Sequence, residues 1–268
     1  MKKIFSLILI LCMLFSLIGC SANETPAPTP VAPTSQDPET TILVAAAASL
    51  KNCMDEELIP LFTERNSNVK VNATYDSSGK LQTQIEEGAE VDVFMSAAMK
   101  QMNALHEKGM IQENSIVELL ENKIVLIVPK GSDNGMSIFE DVLKADTIAI
   151  GDPESVPAGQ YAKEAFENLS IWDQVSSKAS LGTNVTEVLN WVAEGSADAG
   201  VVYSTDAASN ENVEVRAEAP EGSVSKVIYP VGIVKASEKQ DAAKLFTDFL
   251  ESDDALKIFE EYGFTPNK

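Results

Sequence analysis

The sequence predicts an α/β protein in which short buried strands alternate with helices. Its 268 residues are 44% hydrophobic and 23% charged, an ordinary composition for a globular protein with a core. After residue 40, short apolar runs alternate with segments whose apolar residues have helical spacing. Strands that alternate with helices favour sheets built of parallel βαβ units. The length suits one large domain or two medium ones, and we expect two.

The predicted elements follow one another along residues 42–262 without an internal repeat. Apolar and β-branched runs predict strands, and amphipathic spacing predicts helices. The predicted strands are residues 42–46, 69–75, 91–95, 123–128, 147–150, 199–203 and 227–234. The predicted helices are residues 51–65, 81–87, 100–108, 138–143, 160–169, 186–193, 239–250 and 253–262.

The N-terminus has the pattern of a lipoprotein leader. Lys2 and Lys3 precede an apolar stretch over residues 4–18, which is short for a membrane span and typical of a signal-peptide core. The stretch ends in LIGC, which resembles a lipobox, so residues 1–19 are a predicted signal peptide and Cys20 the lipidated residue. A plain secretory signal with a chance cysteine is the alternative. Residues 20–40, rich in Pro, Ser and Thr, predict a flexible tether.

Charge and cysteine content exclude several function classes. With 20 basic and 41 acidic residues, the formal charge of −21 makes nucleic acid an improbable partner. Cys12 belongs to the leader and Cys20 to the lipid site, so Cys53 has no partner for a disulfide. A lone thiol and a single histidine, His106, give no nucleophile–base pair and no metal-ligand spacing. We therefore expect no cofactor and no metal held by side chains, with Cys53 buried as a small apolar residue.

Four junctions between a strand and a helix carry small or hydroxyl residues. A helix N-terminus has free backbone N–H groups and a partial positive charge, so it can bind an anion. Each junction alone is also explained by ordinary helix capping. Together they predict a cleft beyond the carboxyl ends of the strands, where ligands of open α/β sheets bind. The junctions are residues 45–50, 76–79, 151–159 and 181–185.

The four junctions contain no Lys or Arg. Neutral donors can hold an ionised oxyanion, because hydrogen bonds to a charged group are the stronger kind. Such a site offers no acceptor for a proton. We therefore expect it to prefer a fully deprotonated dianion over phosphate, which carries a proton at neutral pH.

Five longer runs of the chain carry a specific pattern. They are AAASL at 46–50, SSG at 77–79, GDPESVPAGQYAKEAF at 151–166, GTNVTEVLNWVAEGSADAGVVYSTDA at 182–207 and YPVGIV at 229–234. These runs resemble the molybdate-binding proteins of ABC transporters. The resemblance covers residues 41–265 and is most specific from residue 152 to 162. It implies the two-lobed fold of type II periplasmic binding proteins, with two mixed sheets flanked by helices and the ligand in the cleft between the lobes.

The resemblance also implies a division of the chain. Lobe 1 would comprise residues 41–122 and 229–268, and lobe 2 residues 123–228. Residues 123–128 and 227–234 would form the hinge strands. Closing the lobes on an anion would convert binding into a change of shape that a permease could recognise.

The same resemblance implies five oxyanion ligands. Ser49 and Ser78 would bind through hydroxyl and backbone N–H, Ala158 and Val185 through backbone N–H, and Tyr203 through its phenolic O–H. On pattern alone, Tyr203 could instead be a half-buried strand aromatic. Relatives can carry a further hydroxyl where this chain has Gly79, and we expect the Gly79 backbone N–H to stay available.

By resemblance, the protein is a lipid-anchored extracytoplasmic binding protein on the bacterial cell membrane. It would capture molybdate and tungstate as a monomer and deliver them to an ABC permease, with no enzymatic activity. Three alternatives stay open. They are a binding protein for another small oxyanion such as sulfate, an enzyme of the same fold acting on an anionic metabolite, and a surface lipoprotein without a saturable ligand.

Overall fold

The computed structural model describes residues 39–267. The predicted signal peptide, the predicted lipidation site Cys20 and almost all of the predicted tether lie outside the described residues. No helix within residues 39–267 is long and apolar enough to cross a bilayer.

The described residues form two mixed sheets flanked by helices, which confirms the predicted two-lobed architecture. The first sheet has six strands in the order β11-β4-β10-β3-β1-β2. Its strands β1, β2 and β3 are parallel to one another, whereas β10 is antiparallel to β3 and to β4. The strands are β1 (Thr40–Ala47), β2 (Val69–Asp76), β3 (Val93–Met95), β4 (Val117–Asn122), β10 (Val227–Ile233) and β11 (Thr265–Pro266).

The second sheet of the described chain has five strands in the order β7-β6-β8-β5-β9. Its strands β6, β7 and β8 are parallel, and β5 is antiparallel to both β8 and β9. The chain passes from the first sheet to the second at Lys123 and returns after residue 218. The strands are β5 (Ile124–Pro129), β6 (Ile148–Gly151), β7 (Ala179–Gly182), β8 (Ala199–Tyr203) and β9 (Val213–Glu218).

Each predicted helical segment overlaps a helix. The first is irregular, with a 3-10 turn at Ala48–Leu50 and a π turn at Met54–Leu58, and the segment predicted at residues 138–143 is a 3-10 helix, Phe139–Lys144. The α-helices are α1 (Lys51–Cys53), α2 (Ile59–Arg65), α3 (Ser78–Glu86), α4 (Met99–Glu107), α5 (Pro157–Asn168), α6 (Trp172–Ser176), α7 (Val185–Ala193), α8 (Ser204–Ala208), α9 (Gln240–Leu250) and α10 (Asp253–Glu261).

Four strands and two short helices were not predicted, whereas the antiparallel pairings agree with the mixed sheets that the resemblance implied. Strands β4, β7, β9 and β11 each contain exposed or half-exposed positions, so they lack a continuous apolar run. Helices α6 and α8 have only five residues each, too few to display a helical period.

Strand register brings the junctions to common sheet edges. Ala47 at the end of β1 pairs with Asp76 at the end of β2, and Ala46 pairs with Met95 at the end of β3. In the second sheet, Gly151 pairs with Gly182 at the ends of β6 and β7. The helices that follow these strands therefore begin side by side within each lobe.

Candidate functional site

The five predicted ligand residues line one cavity between the two sheets. The cavity measures about 10 Å³, on the order of one water-sized sphere. Its wall draws on all four predicted junctions, and also on Ala97 after β3. A tetrahedral oxyanion could enter only if the lobes part and close again, as hinged domains do. The wall comprises Ala47, Ala48, Ser49, Asp76, Ser77, Ser78, Ala97, Val156, Pro157, Ala158, Val185 and Tyr203.

Lobe 1 presents two serine hydroxyls to the cavity. Ser49 lies in the 3-10 turn after β1, and its Oγ lies 2.9 Å from the hydroxyl of Tyr229 on β10. Ser78 is the first residue of α3, which Ser77 caps by accepting a bond from the Lys80 N–H. The buried Ser78 Oγ accepts a 3.0 Å hydrogen bond from the backbone N–H of Ala97.

Lobe 2 presents backbone N–H groups at the starts of two helices. Ala158 follows Pro157, the first residue of α5. Because proline has no N–H, the N–H of Ala158 is the first that this helix can offer. Val185 begins α7, whose N-cap Asn184 accepts a 3.0 Å bond from Glu187. First-turn N–H groups have no acceptor within their helix and carry its positive partial charge.

Tyr203 ends β8 and faces lobe 1. It is 1% exposed and therefore more deeply buried than the alternative of a half-buried strand aromatic expected. Its hydroxyl donates a 3.4 Å hydrogen bond to the carbonyl oxygen of Ala97. Burial first, then the neighbouring Tyr229, Tyr161 and Asp206, raises the pKa of the Tyr203 phenol well above its usual value. The hydroxyl therefore keeps its proton at neutral pH.

Two further hydrogen bonds join the lobes beside the cavity. The Gly79 N–H donates to the Ser155 carbonyl oxygen at 3.0 Å, and Gln101 Nε2 on α4 donates to Gln160 Oε1 on α5 at 3.1 Å. The expectation that the Gly79 N–H would stay available was wrong, because it is used to hold the lobes together. A Cβ on Gly79 would lie 2.3 Å from the Ser155 oxygen, so only glycine permits this approach.

One ion pair stands at the rim. Asp76 lines the cavity, and its Oδ1 accepts hydrogen bonds from the Ser77 N–H at 2.8 Å and from Lys80 Nζ at 3.2 Å. Lys80 offsets the charge of this carboxylate. The wall itself contains no Lys or Arg among the described residues, which leaves neutral hydroxyl and backbone donors to meet an anion.

Other chemistry-bearing residues lie outside this site. Cys53 is buried, its Sγ donates to the Leu50 carbonyl oxygen at 3.1 Å, and burial raises its pKa to about 12, so the thiol is no nucleophile at neutral pH. Within residues 39–267, no group of three or more His, Cys, Asp or Glu side chains could hold a metal. A larger groove of about 510 Å³ flanks the Asp92–Lys239 ion pair, but Asp92 is already bonded there to Ser237 and Lys239.

Sequence reasoning missed Ala97, Ser155, Asn122 and the contact of Tyr229 with Ser49. Ala97 and Ser155 contribute main-chain atoms, for which a sequence carries no side-chain signal. Asn122 and Tyr229 lie 107 positions apart and meet only because β4 pairs with β10. Tyr229 stood in one of the recognised runs, but nothing local indicated its partner.

Comparison with known proteins decides the family. Residues 42–265 match the sequence profile of bacterial extracellular solute-binding proteins. The chain belongs to this family. A relative of this solute-binding protein is YvgL of Bacillus subtilis (strain 168), provisionally described as an ABC transporter substrate-binding lipoprotein, which is 39% identical over 99% of both chains. Another is the molybdate-binding protein ModA of Escherichia coli (strain K12), 38% identical over 84% of this chain and 88% of that protein.

Solved structures give the same fold. The substrate-binding domain of a provisionally assigned molybdenum ABC transporter from Clostridium difficile is 40% identical and aligns with a TM-score of 0.67 over 86% of this chain and all of that one. The sulfate-binding protein SubI of Mycobacterium tuberculosis H37Rv aligns with a TM-score of 0.74 over 85% of this chain and 87% of that one, at 17% identity, and so shows the fold alone. The family profile and the solved structures thus agree that the chain is a two-lobed extracellular solute-binding protein.

Proposed function

We propose that this solute-binding protein captures molybdate, and tungstate in the same way, and delivers it to an ABC permease for import. The observation that carries the proposal is the convergence of neutral donors from both lobes on one cavity whose described wall lacks Lys and Arg. Hydroxyl and helix-start N–H groups can hold a doubly charged oxyanion without a counter-charge. The 38% identity to the molybdate-binding protein ModA of Escherichia coli supports molybdate as the anion.

The five proposed ligands are Ser49, Ser78, Ala158, Val185 and Tyr203. They divide between two lobes, residues 41–122 with 229–268 and residues 123–228. Oxyanion binding would tighten the Gly79–Ser155 and Gln101–Gln160 contacts that already join these lobes. A permease could then recognise the closed form.

We further propose that the protein is anchored as a monomer on the outer face of the bacterial cell membrane, through lipid on Cys20. The support is the lipobox-like LIGC run in the sequence and the lipoprotein description of YvgL, which aligns over 99% of both chains. A diacylglycerol anchor would hold the lobes near a permease without a spanning helix.

Thermal melting of the full chain with four anions tests the function. A ligand that binds only the folded state raises the melting temperature by mass action. We expect stabilisation by molybdate and tungstate, and none by sulfate or phosphate at the same concentration. A rise in melting temperature with sulfate alone would show that the protein binds sulfate and not molybdate. An unchanged melting temperature with all four anions would overturn the proposal.

Membrane fractionation tests the anchor. Cys20→Ser should shift the protein out of the membrane fraction or leave it unprocessed. Cys12→Ser makes the same change within the leader and should leave the protein membrane-bound. Equal membrane retention of both variants would contradict lipidation at Cys20.

A further inference from the structure

A second cavity lies between the lobes beside the oxyanion cavity. It measures about 80 Å³, and Ala48 and Ser49 line both cavities. Lobe 2 contributes Asp206 to the wall of this second cavity, from the first turn of α8. The residue before α8 is Tyr203, which lines the oxyanion cavity. Asp206 therefore lies next to the oxyanion cavity, and we call the space that it lines the Asp206 cavity.

The Asp206 carboxyl group is buried and incompletely hydrogen-bonded. The residue is 6% exposed, and its Oδ2 has no hydrogen-bond partner among residues 39–267. Burial without a partner favours the neutral form of a carboxyl group, because water no longer solvates the charge. Burial accordingly raises the pKa of Asp206 to about 7. The group therefore changes its charge near neutral pH.

The basic side chains around Asp206 are engaged by other carboxylates. Lys51 also lines the Asp206 cavity, but its Nζ is paired with Asp55 at 2.5 Å. Tyr262, in the same wall, donates its hydroxyl hydrogen to Glu56. The elements that pack most closely against α8 are α7, β5, β8 and β9. The charged groups on these elements and at their ends are engaged in pairs, Lys123 with Glu218, Arg216 with Glu214, and Glu187 with the Thr183 N–H.

A dianion in the oxyanion cavity would increase the proton affinity of Asp206. Burial first, and then the Asp206 carboxylate, raise the pKa of Tyr229, whose hydroxyl lies 2.9 Å from Ser49 Oγ. Because Ser49 lines both cavities, the dianion and Asp206 would lie on two sides of this one residue. Like charges repel strongly where water is excluded, and the repulsion disfavours the ionised carboxylate.

We propose that Asp206 is a proton site coupled to the oxyanion site, so that capture of a dianion is accompanied by uptake of one proton onto the Asp206 carboxylate. The inference rests on the proposed function and adds a means of regulation to the same site. The new O–H bond forms on Asp206, and the proton comes from water or buffer. Such coupling is reciprocal, so the affinity for the anion must fall as the pH rises and Asp206 loses its proton.

Calorimetry of molybdate binding to the full chain tests the coupling. Molybdate is itself a dianion in neutral and alkaline solution, so any proton taken up there goes to the protein. The binding enthalpy is measured in buffers of different ionisation enthalpy, such as Tris and HEPES, and the slope gives the number of protons taken up. We expect more than about half a proton per molybdate at about pH 8, and almost none at about pH 5.5. The affinity should fall about tenfold between about pH 6 and about pH 8.5.

Asp206→Asn removes the titrating group and keeps its size. Proton uptake should vanish, and the affinity should be the same at every pH. Near pH 7 about half of the wild-type carboxyl groups carry a proton, so the variant should bind within about twofold of the wild type. At about pH 8.5 it should bind about tenfold more tightly than the wild type.

Asp173→Asn and His106→Gln are the matched controls. Asp173 is an exposed aspartate of lobe 2 on α6, and His106, the one histidine of the sequence, is exposed on α4. Neither residue lines the oxyanion cavity or the Asp206 cavity, so both variants should keep the wild-type proton uptake.

The outcomes separate the coupling from the proposed function. Molybdate binding by the wild type without proton uptake at about pH 8 would overturn the coupling and leave the proposed function standing. Uptake that persists in folded Asp206→Asn would overturn it in the same way. If the wild type binds no molybdate at any pH, the proposed function fails, and the coupling fails with it.

Discussion

The two lobes contribute different kinds of hydrogen-bond donor to the same cavity. Lobe 1 contributes the side-chain hydroxyls of Ser49, which is hydrogen-bonded to Tyr229, and of Ser78, which accepts from the Ala97 N–H. Lobe 2 contributes the backbone N–H groups of Ala158 and Val185 at helix starts, with Tyr203 beside them. A hydroxyl is lost by substitution of one residue, whereas a backbone donor survives almost any substitution. The lobe 1 hydroxyls should therefore be sensitive to mutation, and the two backbone donors of lobe 2 should be robust.

The largest effect should come from Gly79→Ala, which prevents the two halves from meeting. The new Cβ would lie 2.3 Å from the Ser155 carbonyl oxygen, so the lobes cannot close as they do here. We expect molybdate affinity, measured by calorimetry, to fall more than about a hundredfold.

The unliganded Gly79→Ala protein serves as its own control. Gly79 lies in the first turn of α3, where alanine suits the helix, so the variant should still unfold in one cooperative transition even though the contact with Ser155 is lost. Wild-type affinity in this variant would show that closure at Gly79 is irrelevant to binding.

Ser49→Ala and Ser78→Ala remove one donor each from lobe 1. A hydrogen bond to a charged group contributes about 1.5 to 3 kcal/mol, so calorimetry should show roughly a ten- to hundredfold loss of molybdate affinity. Ser252→Ala is the control, because it removes the N-cap of α10, outside the cavity wall. It should lower stability by about 1 kcal/mol without affecting affinity. Unchanged affinity in both serine variants would contradict the site assignment.

Val185→Ala is the matched change in lobe 2 and should have a much smaller effect on binding. The backbone N–H remains, so molybdate affinity should stay within about threefold of the wild type. The melting temperature should fall, since Val185 is buried and two methyl groups are lost. A tenfold loss of affinity would show that lobe 2 does not act through its backbone at this position.

Asp206→Asn should leave binding almost unchanged and alter the pH dependence of stability. Asp206 on α8 is 6% exposed, its Oδ2 has no hydrogen-bond partner within the described residues, and burial raises its pKa to about 7. The folded state thus holds a proton that the unfolded state has released. Wild-type stability should fall as the pH rises from about 4 to about 7, by up to about 4 kcal/mol.

Urea unfolding of Asp206→Asn at several pH values checks this expectation. The asparagine variant should lack the fall, so it should be more stable than the wild type above pH 7 and similar to it near pH 4. Parallel pH profiles for the two proteins would show that Asp206 does not titrate with folding.

The contrast between the lobes also explains what the sequence could predict. The family resemblance implied the five candidate ligands, and four of them stand in the junctions that helix-start patterns also indicated. Their role as ligands stays a prediction. The bond between Ser49 and Tyr229 spans 180 positions and depends on the placement of β10 beside β3, which no local pattern encodes. Strand β9 was missed because it lies at a sheet edge, where only Val213 of VEVRAE is buried and no continuous apolar run forms.

The most direct test of the two-lobed donor site is a crystal structure of the protein grown with molybdate, with the molybdenum located by its anomalous scattering. We predict one strong peak in the cavity, with oxyanion oxygens within hydrogen-bond distance of Ser49 Oγ, Ser78 Oγ and the backbone nitrogens of Ala158 and Val185. A peak elsewhere, or an ordered cavity without molybdenum at saturating concentration, would contradict the account.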